Sequence, residues 1–164
     1  MINIYNKIKN APNFTLWEFI KSDTAIRLGI NNFPQENYIW NNIKDLAVNC
    51  LQPIRDHFNT PIKINSGYRC QLLNTTIGSS KTSNHVFGFA ADIESFYNDV
   101  KLIDILNWIY ENINFKELIA EHFDQQGWIH IAYQENNNIK QLKLKDRNHH
   151  YKRVSIDYIN NIYR

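Results

Sequence analysis

The chain has 164 residues, 43% of them hydrophobic and 13% aromatic, which suits one domain with a substantial core rather than two domains. A formal net charge of +2 is too small to indicate nucleic-acid binding, although it would draw the protein weakly towards anionic polymers. No apolar run reaches the length of a signal peptide or a membrane span, so we expect neither a secretion signal nor membrane insertion.

The N-terminal half is predicted to hold three helices and one strand. Thr15 and Glu18 have capping-box spacing, which starts the first short helix. Apolar residues at helical spacing predict a long second helix with a kink at Pro53. An alternating segment predicts a half-buried strand, and a further short helix follows it. In chain order these elements cover residues 15–22, 35–58, 61–66 and 70–76.

The C-terminal half is predicted to be mostly strands. Residues 78–88 are small and polar, which indicates an ordered surface loop. The elements that follow are a strand over 89–95, a helix over 100–113, and strands over 116–123, 128–133 and 140–145. Helices packed against a small, mainly antiparallel sheet make this an α+β fold. We expect one domain over residues 1–145 and a basic C-terminal extension over residues 146–164.

Three residues in this half are candidate metal ligands. His85 lies in the small-residue loop, and Asp92 follows it inside an otherwise apolar strand. An ionised carboxylate in such a strand is costly unless it is paired or bound to a metal. His130 lies within another predicted strand, Trp128-Ile129-His130-Ile131-Ala132-Tyr133. Each of these residues, taken alone, is more often a structural residue than a ligand.

Several short motifs follow one another in a specific order. They are Ser66-Gly67-Tyr68-Arg69, Leu73-Asn74, Ser83-x-His85-x-x-Gly88-x-Ala90-x-Asp92 and Trp128-x-His130. From about Phe14 to Tyr133, the chain resembles the zinc D,D-peptidases, a family that includes D-Ala-D-Ala carboxypeptidases, vancomycin-resistance dipeptidases and phage endolysins that cut the L-Ala-D-Glu bond. The resemblance implies a catalytic centre with one zinc ion per chain, bound by His85, Asp92 and His130, and with water in the fourth position.

The resemblance also implies residues that bind substrate. Arg69 matches an arginine that contacts substrate and stabilises developing negative charge, for which a permanently charged, forked guanidinium is suited. Ser83 matches a serine near the substrate, and Tyr68, in the same motif as Arg69, is expected to bind substrate as well. The alternative for Arg69 is a salt bridge at the start of the following helix.

The general base is expected at an unusual position. Many family members carry Glu or Asp three residues before the last histidine, but this chain has Gly127 there. Glu121 resembles an acid that a phage-type subgroup carries on the preceding strand. A four-residue turn ending at Gly127 would place Glu121 directly opposite His130, about 5 Å away at Cβ, whereas a five-residue loop would turn Glu121 away. We therefore predict Glu121 as the base, His122 as a supporting residue and Asp124 as the reserve acid.

These features predict a zinc-dependent peptidase that hydrolyses peptide bonds in the stem peptides of bacterial peptidoglycan, as a D,D-carboxypeptidase or an endolysin endopeptidase. A bacteriophage or prophage origin is what the resemblance to phage endolysins implies. Because we expect no secretion signal, we expect the enzyme to stay in the host cytoplasm until lysis or to be associated with the virion. The alternative is a non-catalytic virion or cell-wall binding module that keeps the fold and the zinc site, with virion proteins as partners.

Overall fold

A computed structural model describes residues 2–97, 99–145, 148 and 150–163 and has the predicted α+β architecture. Its strands are β1 (Lys7–Ile8), β2 (Ala11–Thr15), β3 (Ile62–Ser66), β4 (Ala90–Ser95), β5 (Glu117–Glu121), β6 (Trp128–Ala132), β7 (Gln141–Lys145) and β8 (Tyr151–Arg153). The last six form one sheet in the order β3-β4-β6-β5-β7-β8, and β1 pairs with β2. Among the described strands, β5 and β7 pair in parallel and the other neighbours are antiparallel.

Helices pack against this sheet and against one another. They are α1 (Leu16–Ile20), α2 (Asp23–Leu28), α3 (Asn37–Leu46), α4 (Gln52–Phe58), α5 (Gln71–Thr76), α6 (Leu102–Asn112) and α7 (Ile156–Tyr163). The predicted capping box is present at α1, because the Glu18 carboxylate accepts hydrogen bonds from the N–H of Thr15 (2.6 Å) and from its hydroxyl (2.8 Å). No helix in the described part of the chain has the length and apolar character needed to span a membrane.

The long helix predicted over residues 35–58 consists of α3, a π-helical segment (Ala47–Leu51) and α4. In the π-helical segment the N–H of Gln52 donates to the carbonyl of Ala47, five residues earlier. Pro53 has no N–H for the carbonyl four residues before it, and its ring crowds that turn. The disturbance predicted at Pro53 therefore takes the form of a π-helical turn directly before the proline.

The two faces of the main sheet differ in character because side chains alternate along each strand. One face packs against the helices and forms the core, with the buried residues Ala91, Ile93, Leu118, Ala120, Ile129, Ile131, Leu142 and Leu144. The opposite face carries Asp92, Glu117, Glu121, His130 and Lys143, which all line one cavity. The alternation thus brings the ionisable side chains of four neighbouring strands to one side of the sheet.

The register between β5 and β6 differs from the predicted one by two residues. Ile119, rather than Glu121, pairs with His130. The predicted four-residue turn is wrong, because residues 122–127 all belong to the connection between the strands. Gly127 lies so close to the backbone that a Cβ there would come within 2.1 Å of the carbonyl oxygen of Glu121. Since a shift of two residues preserves the face of a strand, Glu121 still lies on the face that carries His130.

The chain beyond β6 continues the same sheet. β7 confirms the strand predicted over residues 140–145, and β8 pairs with β7. Helix α7 packs against α6, where the side-chain amide of Asn107 donates to Asn160 (2.8 Å). Residues 151–163 of the predicted C-terminal extension are therefore built onto the sheet and α6. Residues 146, 147, 149 and 164 of that extension lie outside the described part of the chain.

Candidate metal centre

Three buried side chains meet on the polar face of the sheet. Asp92 on β4 and His130 on β6 are directly paired, so their side chains lie side by side. His85 comes from a short 3-10 helix, Asn84–Phe87, that precedes β4. Ser83 caps this helix, since its hydroxyl accepts a hydrogen bond from the N–H of His85 (3.4 Å). None of the three residues is more than 6% exposed.

One atom from each residue points to a common centre. Nε2 of His85 lies 3.2 Å from Oδ1 of Asp92 and 3.2 Å from Nδ1 of His130, and the Asp92 and His130 atoms are 2.9 Å apart. A tetrahedral zinc ion with bonds of about 2.0–2.1 Å would separate its ligand atoms by about 3.3 Å. The two imidazole nitrogens and the carboxylate oxygen therefore match zinc in chemistry and in spacing.

The backbone holds His85 in the tautomer that suits a metal ligand. Its Nδ1 lies 2.6 Å from the carbonyl oxygen of Gly67, which can only accept, so Nδ1 carries the proton and Nε2 presents a lone pair. Gly67 can occupy this position because it has no Cβ. A Cβ there would lie 2.4 Å from the carbonyl oxygen of Phe19. A glycine is thus required at the residue that orients His85.

Arg69 holds the carboxylate of Asp92 from the other side. Its Nη2 donates to Oδ2 of Asp92 at 2.7 Å, and its Nε donates to Oγ of Ser66 at 2.8 Å. This leaves Oδ1 of Asp92 directed towards the two histidines. The salt bridge of Arg69 is therefore made to a candidate metal ligand, and not to the start of α5.

Burial and mutual contact shift the pKa values of the three groups. Burial lowers the pKa of His85, which favours the neutral imidazole that binds metals. Burial raises the pKa of Asp92, but the two histidines lower it well below its ordinary value. For His130 burial lowers the pKa, but the hydrogen bond to Asp92 and the negative charges of Asp92 and Glu117 raise it to about 9. Metal binding at this centre therefore competes with a proton on His130.

A cavity of about 650 Å³ opens onto the centre. Two carboxylates of β5, Glu117 and Glu121, line its wall. Each is paired with a lysine of β7, since Nζ of Lys145 donates to Glu121 at 2.7 Å and Lys143 contacts Glu117. Burial raises the pKa of Glu117, but the nearby His130 and the hydrogen bond and charge of Lys143 lower it to about 2. The cavity therefore combines a set of metal-binding atoms with charged walls.

The structure brings together most of the substrate-binding and catalytic residues predicted from the sequence. Ser83, Arg69 and Glu121 line the cavity with the three ligand residues. Tyr68 is buried and lines an adjacent cavity of about 300 Å³, which Arg69 also borders. Burial raises the pKa of Tyr68 to about 12, so its hydroxyl remains protonated at neutral pH. The roles of these four residues in substrate binding and proton transfer stay predictions.

The residues predicted to support or replace Glu121 lie in the connection between β5 and β6. His122 has a positive φ of 54°, and its ring centroid is 5.4 Å from that of Trp128. Asp124 lies further along the same connection. Neither belongs to the described lining of the cavity.

Sequence reasoning missed four charged residues of the cavity, namely Lys116, Glu117, Lys143 and Lys145. A signal for Glu117 was present, because residues two or four positions from Glu121 share its face of the strand. Lys143 and Lys145 alternate with leucines in β7, which indicates one polar face. The sequence does not indicate that β7 pairs with β5, and this pairing brings the lysines to the carboxylates.

A family model described as Peptidase M15 matches residues 12–132, which is most of the chain. No curated protein compared with the chain matches it significantly. The chain belongs to the peptidase M15 family, whose peptidases are zinc-dependent. The matched range contains the three candidate ligand residues, Arg69 and Glu121, and it ends before β7.

Proposed function

We propose that this member of the peptidase M15 family is a zinc-dependent peptidase that hydrolyses peptide bonds in the stem peptides of bacterial peptidoglycan. The observation that carries the proposal is the convergence of His85, Asp92 and His130 at an open cavity. Structural zinc sites are closed by four protein ligands, whereas catalytic sites have three and keep one position open. Three ligand residues on a cavity wall favour the catalytic kind.

The chain's carboxylates supply the proton transfer that the reaction needs. A zinc ion would polarise the scissile carbonyl and acidify a water molecule. Glu121 is the proposed general base, because it lies on the same face as His130 and lines the cavity. It accepts the proton of the water and delivers it to the leaving amine. Lys145 holds this carboxylate in the cavity wall through the 2.7 Å hydrogen bond.

Position 127 cannot supply the acid in this chain. A Cβ at Gly127 would lie 2.1 Å from the carbonyl oxygen of Glu121 and 2.6 Å from that of His122. No side chain fits without a change of the backbone, so the glycine is a consequence of the six-residue connection. If the protein is a peptidase, its base must therefore come from another position, and β5 supplies a carboxylate that lines the cavity.

Arg69 is proposed to contact the substrate while it holds Asp92. Its Nε and Nη2 are used by Ser66 and Asp92, and Nη1 has no hydrogen-bond partner among the described residues. Because the guanidinium lines the cavity, Nη1 is the donor available to a substrate carbonyl or carboxylate. Ser83 and Tyr68 are the further substrate-binding residues of the proposal.

The charge of the cavity fits a peptide with free carboxylates, such as a stem peptide. Besides the histidines, seven side chains that are charged at neutral pH line it: Arg69, Lys116, Lys143 and Lys145 are basic, and Asp92, Glu117 and Glu121 are acidic. A bound zinc ion adds two positive charges to this balance. The resulting positive potential attracts an anionic substrate.

Mass spectrometry of muropeptides released from purified peptidoglycan tests the proposal and identifies the bond, D-Ala-D-Ala or L-Ala-D-Glu. We expect release by the zinc-loaded wild type and a loss of about 10²- to 10⁴-fold in rate in Glu121→Gln. Glu117→Gln, assayed at saturating zinc, is the matched control on the same strand and should lose less activity. Asp124→Asn should be mild. A severe loss in Glu117→Gln or Asp124→Asn, with Glu121→Gln unaffected, would contradict the assignment of the base.

The second candidate is a non-catalytic virion or cell-wall binding module that keeps the fold and the zinc site. The observation in its favour is that Gly127 leaves the position three residues before His130 without the acid that the resemblance implies. Sedimentation with purified cell walls separates the two functions. A zinc-loaded wild type that sediments with the walls and releases no peptide from them would replace the peptidase proposal with this one.

A further inference from the structure

Strand β7 forms part of the cavity wall although it lies beyond the family-matched range. It pairs in parallel with β5, with Lys143 opposite Ile119 and Lys145 opposite Glu121. The alternation of the strand directs both lysines to the polar face, and both line the cavity. The ammonium of Lys143 contacts Oε2 of Glu117 on β5. A chain of contacts therefore crosses from β7 towards the metal centre.

Glu117 lies behind His130 with respect to the converging ligand atoms. Nδ1 of His130 faces Asp92 and His85, whereas Nε2, on the other edge of the ring, is 3.5 Å from Oε1 of Glu117. Nε2 is buried and makes no hydrogen bond with any described residue. A metal on Nδ1 leaves the ring proton on Nε2, and a buried N–H requires an acceptor. Glu117 is the carboxylate in position to accept it.

Two donors fix the orientation of the Glu117 carboxylate. The side-chain amide of Asn84 donates to Oε1 at 3.1 Å, and Lys143 donates to Oε2. Asn84 is itself held by Lys116, whose Nζ donates to its Oδ1 at 2.9 Å. Because Asn84 belongs to the same 3-10 helix as His85, this network also connects two ligand-bearing elements.

We propose that Glu117 is the hydrogen-bond acceptor that supports His130 as a metal ligand, and that Lys143 is a positioning residue that acts through Glu117. The inference rests on the metal centre of the proposed function but requires no substrate. An acceptor behind a metal-bound imidazole fixes its tautomer and ring orientation, and loss of such a partner costs about 10- to 100-fold in metal affinity. Glu117 thus has a different role from Glu121, although both lie on β5.

Zinc affinity, measured by competition with a chromophoric chelator, tests the inference. We expect Glu117→Ala to weaken zinc binding by about 10- to 100-fold and Lys143→Met to weaken it by a smaller factor. The double variant should bind zinc as Glu117→Ala does, because Lys143 acts through the carboxylate. Lys63→Met is the matched control, since Lys63 pairs with Glu94 at the other end of the sheet and lies outside the cavity lining, and it should bind zinc normally.

Imidazole ¹⁵N NMR of the zinc-loaded protein gives a second measurement. Its His130 signal would not change if Glu117 and Lys143 formed only a structural ion pair. The Nε2 proton of His130 should exchange faster in Glu117→Ala than in the wild type. Unchanged zinc affinity in Glu117→Ala, or an equal effect of Lys143→Met with and without Glu117, would overturn the inference and leave the proposed function standing. If Glu117→Ala does not fold, unchanged affinity in Lys143→Met overturns the positioning role. A wild type that binds no zinc would overturn the metal centre and the proposed function together.

Discussion

Removal of the metal should leave a fold whose stability depends on pH through His130. Burial lowers the pKa of this group, but Asp92 and Glu117 raise it to about 9, against an ordinary value of 6.5 for the unfolded chain. A raised pKa means that the protonated form stabilises the fold, fully below pH 6.5, and that this stability is lost as the pH rises through about 9. This difference between the folded and unfolded pKa of His130 contributes about 3 kcal/mol to the free energy of unfolding. His85 acts with the opposite sign, but its lowered pKa confines its effect to pH values below 6.5.

The assay is denaturant-induced unfolding of chelator-treated protein at several pH values between 6.5 and 9. We expect the free energy of unfolding to fall by about 3 kcal/mol over this range. His130→Gln should remove the dependence, and Glu117→Gln should reduce it. Protein with saturating zinc should not lose stability in this way, because proton loss from His130 favours metal binding. A metal-free wild type with constant stability from pH 6.5 to pH 9 would refute the reasoning.

Zinc content, guanidinium geometry and a backbone contact give three more tests. Elemental analysis should find one zinc per chain in the wild type and a loss of zinc in Asp92→Ala, and full retention there would contradict the ligand set. Arg69→Lys should bind zinc but lose most turnover, because an ammonium lacks the forked geometry with which the guanidinium holds Asp92 and reaches the substrate. A wild-type kcat in this variant would mean that Arg69 serves only as the ion-pair partner of Asp92. Gly67→Ala should weaken zinc binding in chelator competition, because its Cβ would lie 2.4 Å from a backbone oxygen of α1. Gly78→Ala is the control, because a Cβ at Gly78 would have no atom within 4 Å. This variant should lose only about 1–2 kcal/mol of stability, since alanine is strained at the positive φ of this residue. Equal zinc affinity in the two variants would refute the role of Gly67.

The sequence was sufficient to predict the fold class and the converging ligand residues. Asp92 stands out because it is ionisable within an apolar strand, and His130 lies in a second strand of the same kind. The order of the motifs, rather than either strand alone, indicated that the two residues converge, and in the structure the two strands pair directly. His85 required the motif order as well, since its short 3-10 helix has no apolar periodicity to reveal it.

The details of the cavity wall could not be predicted, because they depend on loop geometry and on strand partners. The β5–β6 connection contains a glycine that resembles a turn residue, yet Gly127 is required by close packing on the Glu121 carbonyl, so the predicted turn was too short. The connection from β6 to β7 passes the start of β5, and an alternating Lys-Leu pattern does not specify that β7 then pairs with β5. Glu117 and Lys143 were therefore not recognised as a pair.

The packing at Gly127 also restricts how this protein can evolve or be redesigned. A single Gly127→Glu change would not supply the acid that the family resemblance implies at this position, because the new Cβ would collide with the backbone. The length of the connection has to change first, and that change would move Glu121 as well. A sequence with the acid at position 121 therefore cannot change in one step to a sequence with the acid at position 127. Intermediates between the two lose one acid before they gain the other. Residues 121 and 127 should consequently vary together with loop length among related sequences.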